Sequence, residues 1–256
     1  MGKQVVIIGG GAGGASAAAE AKRNNADLQV VILQSGRFVS YASCPTPYYI
    51  GNLITDENRL IARTPERFAK DGIDVRLGKT VSDIDPRKGE VQTSDGHRFP
   101  YDYLVLATGT SAVLPDIAGL DLPGVFSLRN LEDAIAIKAW LHDQNARRVV
   151  IIGGGFIGLE MSEALAAAGI RSTIIHKDAL PANRWDPQLA AVILEELQAN
   201  GVEFVANAAA QGIEKGNKAA LRVVTDQGHF EGDLVLAAVG VRPDSTLARA
   251  AGLKIG

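Results

Sequence analysis

The 256 residues include a single cysteine, Cys44, in the stretch S-C-P-T-P-Y-Y at positions 43–49. A lone cysteine is usually a small buried hydrophobe, but this one is followed directly by proline. Pro45 suits the first position of a helix, where a missing N–H costs nothing. Cys44 is then expected at the N-cap, where the positive end of the helix dipole acidifies a thiol and makes it a nucleophile. The other residues with chemical potential are glycines. G-x-G-x-x-G occurs as Gly9, Gly11, Gly14 and again as Gly153, Gly155, Gly158. In such a triplet the first glycine permits a tight turn, the second lets a diphosphate approach the backbone, and the third lets helix and strand pack closely. The anion then rests on the N–H groups at the helix start.

The elements that must position these residues are written twice. VVIIGGG stands at residues 5–11 and at 149–155. Each copy is a β-branched run, a glycine turn, an Ala-rich helical pattern and a second β-branched run. That order predicts two parallel strand–helix–strand units and two dinucleotide sites. Their second strands end in Gln34 and in His176–Lys177. An acid normally holds the ribose hydroxyls there. Gln34 can accept a hydrogen bond without charge, and the basic His176–Lys177 end suits a 2′-phosphate, hence NADPH over NADH. YDYLVLATGT (101–110), with Thr108 and Gly109, and GDLVLAAVGVRPD (232–244), with Gly240, read as strands returning to a bound dinucleotide. VLPDIAGLDLPGVF (113–126) reads as a crossover linker, and LEDAIAIKAWLHD and LAAVILEELQAN as amphipathic helices.

Composition is ordinary: 46% hydrophobic, 21% charged, net charge −3. It suggests neither nucleic acid nor an anionic membrane as partner. One cysteine allows no internal disulfide framework and fits the cytoplasm. His97, His142, His176 and His229 are scattered, and no metal site is expected. Lys3 and the following apolar run could pass for a signal peptide, but five glycines would weaken it as a helix. No stretch is apolar long enough to span a bilayer.

Taken together, VSYASCPTPYYIGN, RTPERF, LRNLEDA, GGGFIGLEM and AAVGVRPD resemble the flavin-dependent pyridine nucleotide–disulfide oxidoreductases. Among these the chain is most similar to the single-cysteine group that includes coenzyme A disulfide reductase. The resemblance implies an α/β fold of two Rossmann-like domains. FAD binds residues 1–112, NAD(P)H binds 113–240, and 241–256 begin the return to the first. It implies hydride transfer from nicotinamide to flavin, then electrons to sulfur. The cofactor contacts so implied are Gly9, Gly11, Ala12, Gly14, Gln34, Ser43, Thr108 and Gly109 on the FAD side. On the NAD(P)H side they are Gly153, Gly155, Phe156, Ile157, Gly158, Glu160, His176, Lys177 and Gly240. Phe156 matches an aromatic residue that covers the flavin, and Glu160 an acid that bonds the carboxamide.

Two-cysteine relatives use Cys-x-x-x-x-Cys, and the second position here is Tyr49. Cys44 must therefore pair with a small thiol, such as coenzyme A, or form a sulfenic acid. Lys22, Arg23 and Arg63 are candidates for the coenzyme A phosphates, with a solvated basic cluster as the plain alternative. Oxidase and peroxidase relatives carry a histidine where Ala12 stands, so the expected substrate is a small disulfide or persulfide. An NADH oxidase or peroxidase, or a nucleotide-binding module without turnover, are the alternatives. Complete relatives are expected to form homodimers through a C-terminal dimerisation domain absent from this chain.

Overall fold

The run Gln4–Ile8 forms a strand buried on both faces, which explains why it is continuously β-branched and apolar. In the computed structural model, which describes residues 2–182, 184–217 and 219–255, it lies inside a four-stranded parallel sheet. The order is Ile73–Leu77, Gln29–Gln34, Gln4–Ile8, Tyr103–Leu106. On one face Val5, Ile7, Val30 and Ile32 pack against Ala15 and Ala18 of the helix Ala12–Asn24 and against the fully buried Phe68. On the other, Val6, Ile8 and Leu33 meet Val81, Ile84 and Val91 of a three-stranded antiparallel sheet. Alanines on the helix allow it to lie close to the strands, and Ile7, Ile32, Ile73 and Phe68 supply the bulk of the buried volume.

The second copy repeats this plan with its own core. A five-stranded parallel sheet runs in the order Glu203–Val205, Arg171–Ile175, Arg148–Ile152, Leu234–Ala237, Val125–Ser127. Val150, Ile152, Ile175 and Val235 pack with Ile213, Leu221 and Val223 of a second antiparallel sheet. The helix Leu131–Asp143 starts where a capping box fixes it. Asn130 Oδ1 accepts from Asp133 N–H at 2.7 Å, and Asp133 accepts from Asn130 N–H at 3.1 Å. LAAVILEELQAN falls in the helix Pro187–Ala199. The 113–126 stretch differs from a pure linker, because Val125–Ser127 joins the parallel sheet beside Leu234–Ala237.

The chain thus divides into two compact units, one of residues 1–43, 58–111 and 243–256, the other of 44–57 and 112–242. Residues 44–57 group with the second unit, whereas 1–112 were expected together. The reason is packing of the short helix Thr46–Ile50 on the helices Leu131–Asp143 and Phe156–Ala167. Among the described residues, no helix is long and apolar enough to cross a membrane.

Candidate functional site

Each glycine of the two triplets occupies a distinct environment. Gly9 and Gly153 have φ of 99° and 116°, a region that favours glycine. A Cβ at Gly9 would overlap the Ala107 carbonyl, and one at Gly153 the Ala238 carbonyl. A Cβ at Gly14 would overlap the Gly9 carbonyl oxygen, and one at Gly158 that of Gly153. At Gly11 and Gly155 a Cβ would meet nothing within 4 Å. The outer glycines are therefore required by the protein itself, while the middle ones face open space. Gly11 and Gly155 also cap the helices Ala12–Asn24 and Phe156–Ala167, and no side chain caps either start. Free N–H groups beside an open face fit a diphosphate in each unit. Ala12 is exposed at the first start, and Ile157 is half-buried at the second.

The strand ends do something the sequence did not disclose. Gln34 Oε1 accepts the Gly10 N–H at 2.7 Å, and His176 Nδ1 accepts the Gly154 N–H at 3.1 Å. His176 is buried and turned toward its own glycine turn, in contrast to the phosphate-facing position expected of it. Burial pushes its pKa down, with Lys177 adding to this and Asp178 and the Leu180 backbone opposing. Lys177 alone remains exposed at this end.

Phe156, the first residue of its helix, is 53% exposed, and its ring centroid lies 5.4 Å from that of Trp185, itself 45% exposed. The loop carrying Trp185 is tied to the turn: Ala182 N–H donates to Gly154 O and Trp185 N–H to Ala182 O, both at 2.8 Å. Sequence reading missed Trp185; an aromatic residue just before the Asp186 cap was the only signal. Glu160 is exposed one turn along from Phe156. Its pKa is raised by partial desolvation and then by Glu163. Gly240, with φ of 135° and open space around it, follows the strand Leu234–Ala237.

In the first unit the Ala-Thr-Gly turn is already engaged. Thr108 Oγ1 donates to Asp244 O at 2.6 Å, and Asp244 N–H donates to Gly109 O at 3.0 Å. Ser43 is exposed. Lys22, Arg23 and Arg63 come together with Ala19, Asp71 and Ile73 around one 440 Å³ cavity. Each cation has a partner. Lys22 Nζ donates to Ala26 O and Leu28 O at 2.6 and 2.7 Å, Arg23 pairs with Glu20 at 2.7 Å, and Arg63 pairs with Asp71 while lying over the Phe68 ring.

Cys44 is exposed, which excludes the inert buried thiol. It is not the N-cap that the sequence suggested. The five-residue helix Thr46–Ile50 is capped by Pro45, whose carbonyl accepts from Tyr49 N–H at 3.1 Å, and Cys44 lies one residue upstream. The helix is firmly seated. Thr46, Pro47, Tyr49 and Ile50 are buried, and a Cβ at Gly51 would overlap the Ala164 carbonyl. Lys138 Nζ sits 3.9 Å from the Tyr49 ring centroid and 3.4 Å from Ile54 O, and the Tyr49 hydroxyl donates to Glu57 at 3.2 Å. Burial raises the Tyr49 pKa, with Glu57 adding, and burial lowers that of Lys138.

Paired parallel-sheet units, each with an open glycine turn, define a protein of two Rossmann-like α/β units that also carries one exposed cysteine. More particularly, the chain belongs to the pyridine nucleotide–disulphide oxidoreductase family, whose sequence pattern matches residues 3–256. It is 38% identical over 258 residues to the NAD(P)H coenzyme A polysulfide/persulfide reductase of Pyrococcus horikoshii, covering 100% of this chain and 58% of that protein. It is 33% identical over 241 residues to an NADH oxidase of Methanocaldococcus jannaschii, covering 92% and 54%. The reduced CoADR-RHD of Bacillus anthracis superposes with a TM-score of 0.94 at 31% identity, covering 100% of this chain and 47% of that one. The chain spans about half the length of the curated relatives it matches.

Proposed function

We propose that this chain carries the two nucleotide sites and the redox cysteine of an NAD(P)H-dependent flavoprotein that reduces coenzyme A disulfide or a related disulfide or persulfide. The observation that carries this is the pairing of two glycine turns open at Gly11 and Gly155 with an exposed sole cysteine. FAD on the first turn would supply the relay that carries two electrons from NAD(P)H to sulfur. Gly11 and the start of helix Ala12–Asn24 hold the flavin diphosphate. Gly155 and the start of helix Phe156–Ala167 hold that of the pyridine nucleotide. Phe156 and Trp185 flank the latter opening, where aromatic faces suit a flat ring.

Cys44 Sγ attacks one sulfur of the substrate, breaks its S–S bond, releases the first thiolate and keeps the second half as a mixed disulfide. Two electrons and one proton then break that mixed disulfide, which frees the second thiol and restores the Cys44 thiolate. The Thr46–Ile50 helix keeps the sulfur exposed. Lys22, Arg23 and Arg63 would bind the coenzyme A phosphates by exchanging their present partners for them. A complete protein of this kind would be a homodimer.

The NADH oxidase relative supports a second reading, peroxide or oxygen reduction by the same sulfur, and Ala12 speaks against it. The test is NADPH-dependent reduction of coenzyme A disulfide by the FAD-loaded chain and by Cys44→Ser. Loss of at least about 100-fold in kcat for Cys44→Ser, with flavin bleaching by NADPH unchanged, supports the reading. Unchanged disulfide turnover by Cys44→Ser refutes it. A colourless protein that binds NADPH but never turns over points instead to a binding module.

A further inference from the structure

His176 makes a contact that only one of its protonation states can make. Its Nδ1 accepts the Gly154 N–H at 3.1 Å, so the neutral ring carries its proton on Nε2. Nε2 is buried and lies 3.5 Å from Asp178 Oδ2. The Gly154 peptide is held from its other side as well, since its carbonyl accepts from Ala182 N–H at 2.8 Å. Space is tight: a Cβ at Gly154 would lie 3.1 Å from His176 Cγ and 3.0 Å from Phe204 Cε2. The first unit builds the same contact from Gly10 N–H to Gln34 Oε1, an amide that does not titrate.

We infer that His176 is a positioning residue of the second glycine turn that works only as the neutral imidazole, so that acid weakens pyridine nucleotide binding while the first turn ignores pH. This rests on the second turn being the pyridine nucleotide site. Protonation places a hydrogen on Nδ1, where it confronts the Gly154 N–H. Two donors then face each other inside a packed corner, and the turn that shapes the Gly155 opening must move. The charged groups facing the ring are Asp178, which favours the cation, and Lys177, which disfavours it. From the neighbouring strand the ring meets Phe204, uncharged, at 5.9 Å between centroids, and Glu203 there is engaged with the Thr173 hydroxyl. From the glycine turn no charge faces it.

Burial also holds the folded His176 pKa below its usual value. The unfolded chain therefore binds more protons, and the stability contributed by this group is complete above the unfolded pKa and is lost as pH falls below it.

The test is the affinity of the full chain for NAD+, which lacks a 2′-phosphate, measured between about pH 5 and pH 8 at fixed ionic strength. The wild type should weaken on acidification, approaching tenfold per pH unit for one linked proton. His176→Gln, which copies the Gln34 arrangement, should show a flat profile. A flat wild-type profile, or equal acid sensitivity in both proteins, overturns the proposal. Should His176→Gln fail to fold, the Gly154 amide resonance of the wild type decides: it must titrate together with the His176 ring. A wild type that binds no NAD+ at any pH defeats the functional reading, and the Gly154 amide titration still judges this one.

Discussion

Glycines that look equivalent in a motif have different jobs, and substitution separates them. A methyl at Gly14 would collide with the Gly9 carbonyl, so Gly14→Ala should cost about 1–3 kcal/mol of stability through forced backbone shifts. A methyl at Gly11 meets nothing. Gly11→Ala should therefore fold with stability within about 0.5 kcal/mol of the wild type. It should nonetheless lose FAD affinity, because the methyl occupies the space the diphosphate needs. Thermal melting of the two variants, with flavin titration, checks both halves. If Gly11→Ala binds FAD as well as the wild type, the open face is not the diphosphate site.

At the scale of elements, the short Thr46–Ile50 helix has too few residues to be stable alone, since helix nucleation is costly and one turn recovers little of it. Its order comes from burial and from the Lys138 cation over Tyr49, a contact whose partial desolvation strengthens it. Lys138→Met should loosen this helix and speed hydrogen exchange at the Tyr49 and Gly51 amides about tenfold, roughly the loss of 1–2 kcal/mol of local stability. Lys138→Arg, which keeps a cation over the ring, should restore much of the protection. Exchange that is unaltered by Lys138→Met would show that apolar packing alone seats the helix. The helix Leu131–Asp143 has a separate dependence: Asn130→Ala removes its cap and should lower stability by about 1 kcal/mol, read by thermal melting.

At the scale of the whole molecule, the last segment belongs with the first. Residues 243–256 group with the opening unit, tied by Thr108 and Gly109 to Asp244, while Leu247 and Ala251 pack against the Val81–Ile84–Val91 cluster. Leu247→Ala should destabilise that unit by about 1 kcal/mol, and the cost should appear as faster exchange in strands 4–8 and 81–85. Strands 148–152 and 234–237 have a separate core and should keep their protection. Equal loss in both sets would mean that the two cores unfold as one.

The α/β fold and the family were legible in the residues alone. A β-branched run, a glycine triplet and an alanine-rich helix form a local grammar; the third glycine of each triplet meets a carbonyl five residues back, while the first also abuts a returning strand end distant in sequence. The contacts that finish the site join residues distant in sequence. That His176 turns inward to Gly154, that Trp185 stands beside Phe156, and that Lys22 meets Arg63 at one cavity all depend on how strands and loops close over the sheet. The position of Cys44 was misjudged by one residue for the same reason. Local preference placed a helix start at Pro45, while packing of Tyr49, Ile50 and Gly51 against two later helices set where that helix begins. Sequence determined the two strand–helix–strand units, because their patterning is short-range, whereas the short Thr46–Ile50 helix and the Val125–Ser127 strand depend on what they pack against. Tertiary structure alone decided which side chains those elements leave free to act, because that depends on who reaches each polar group first.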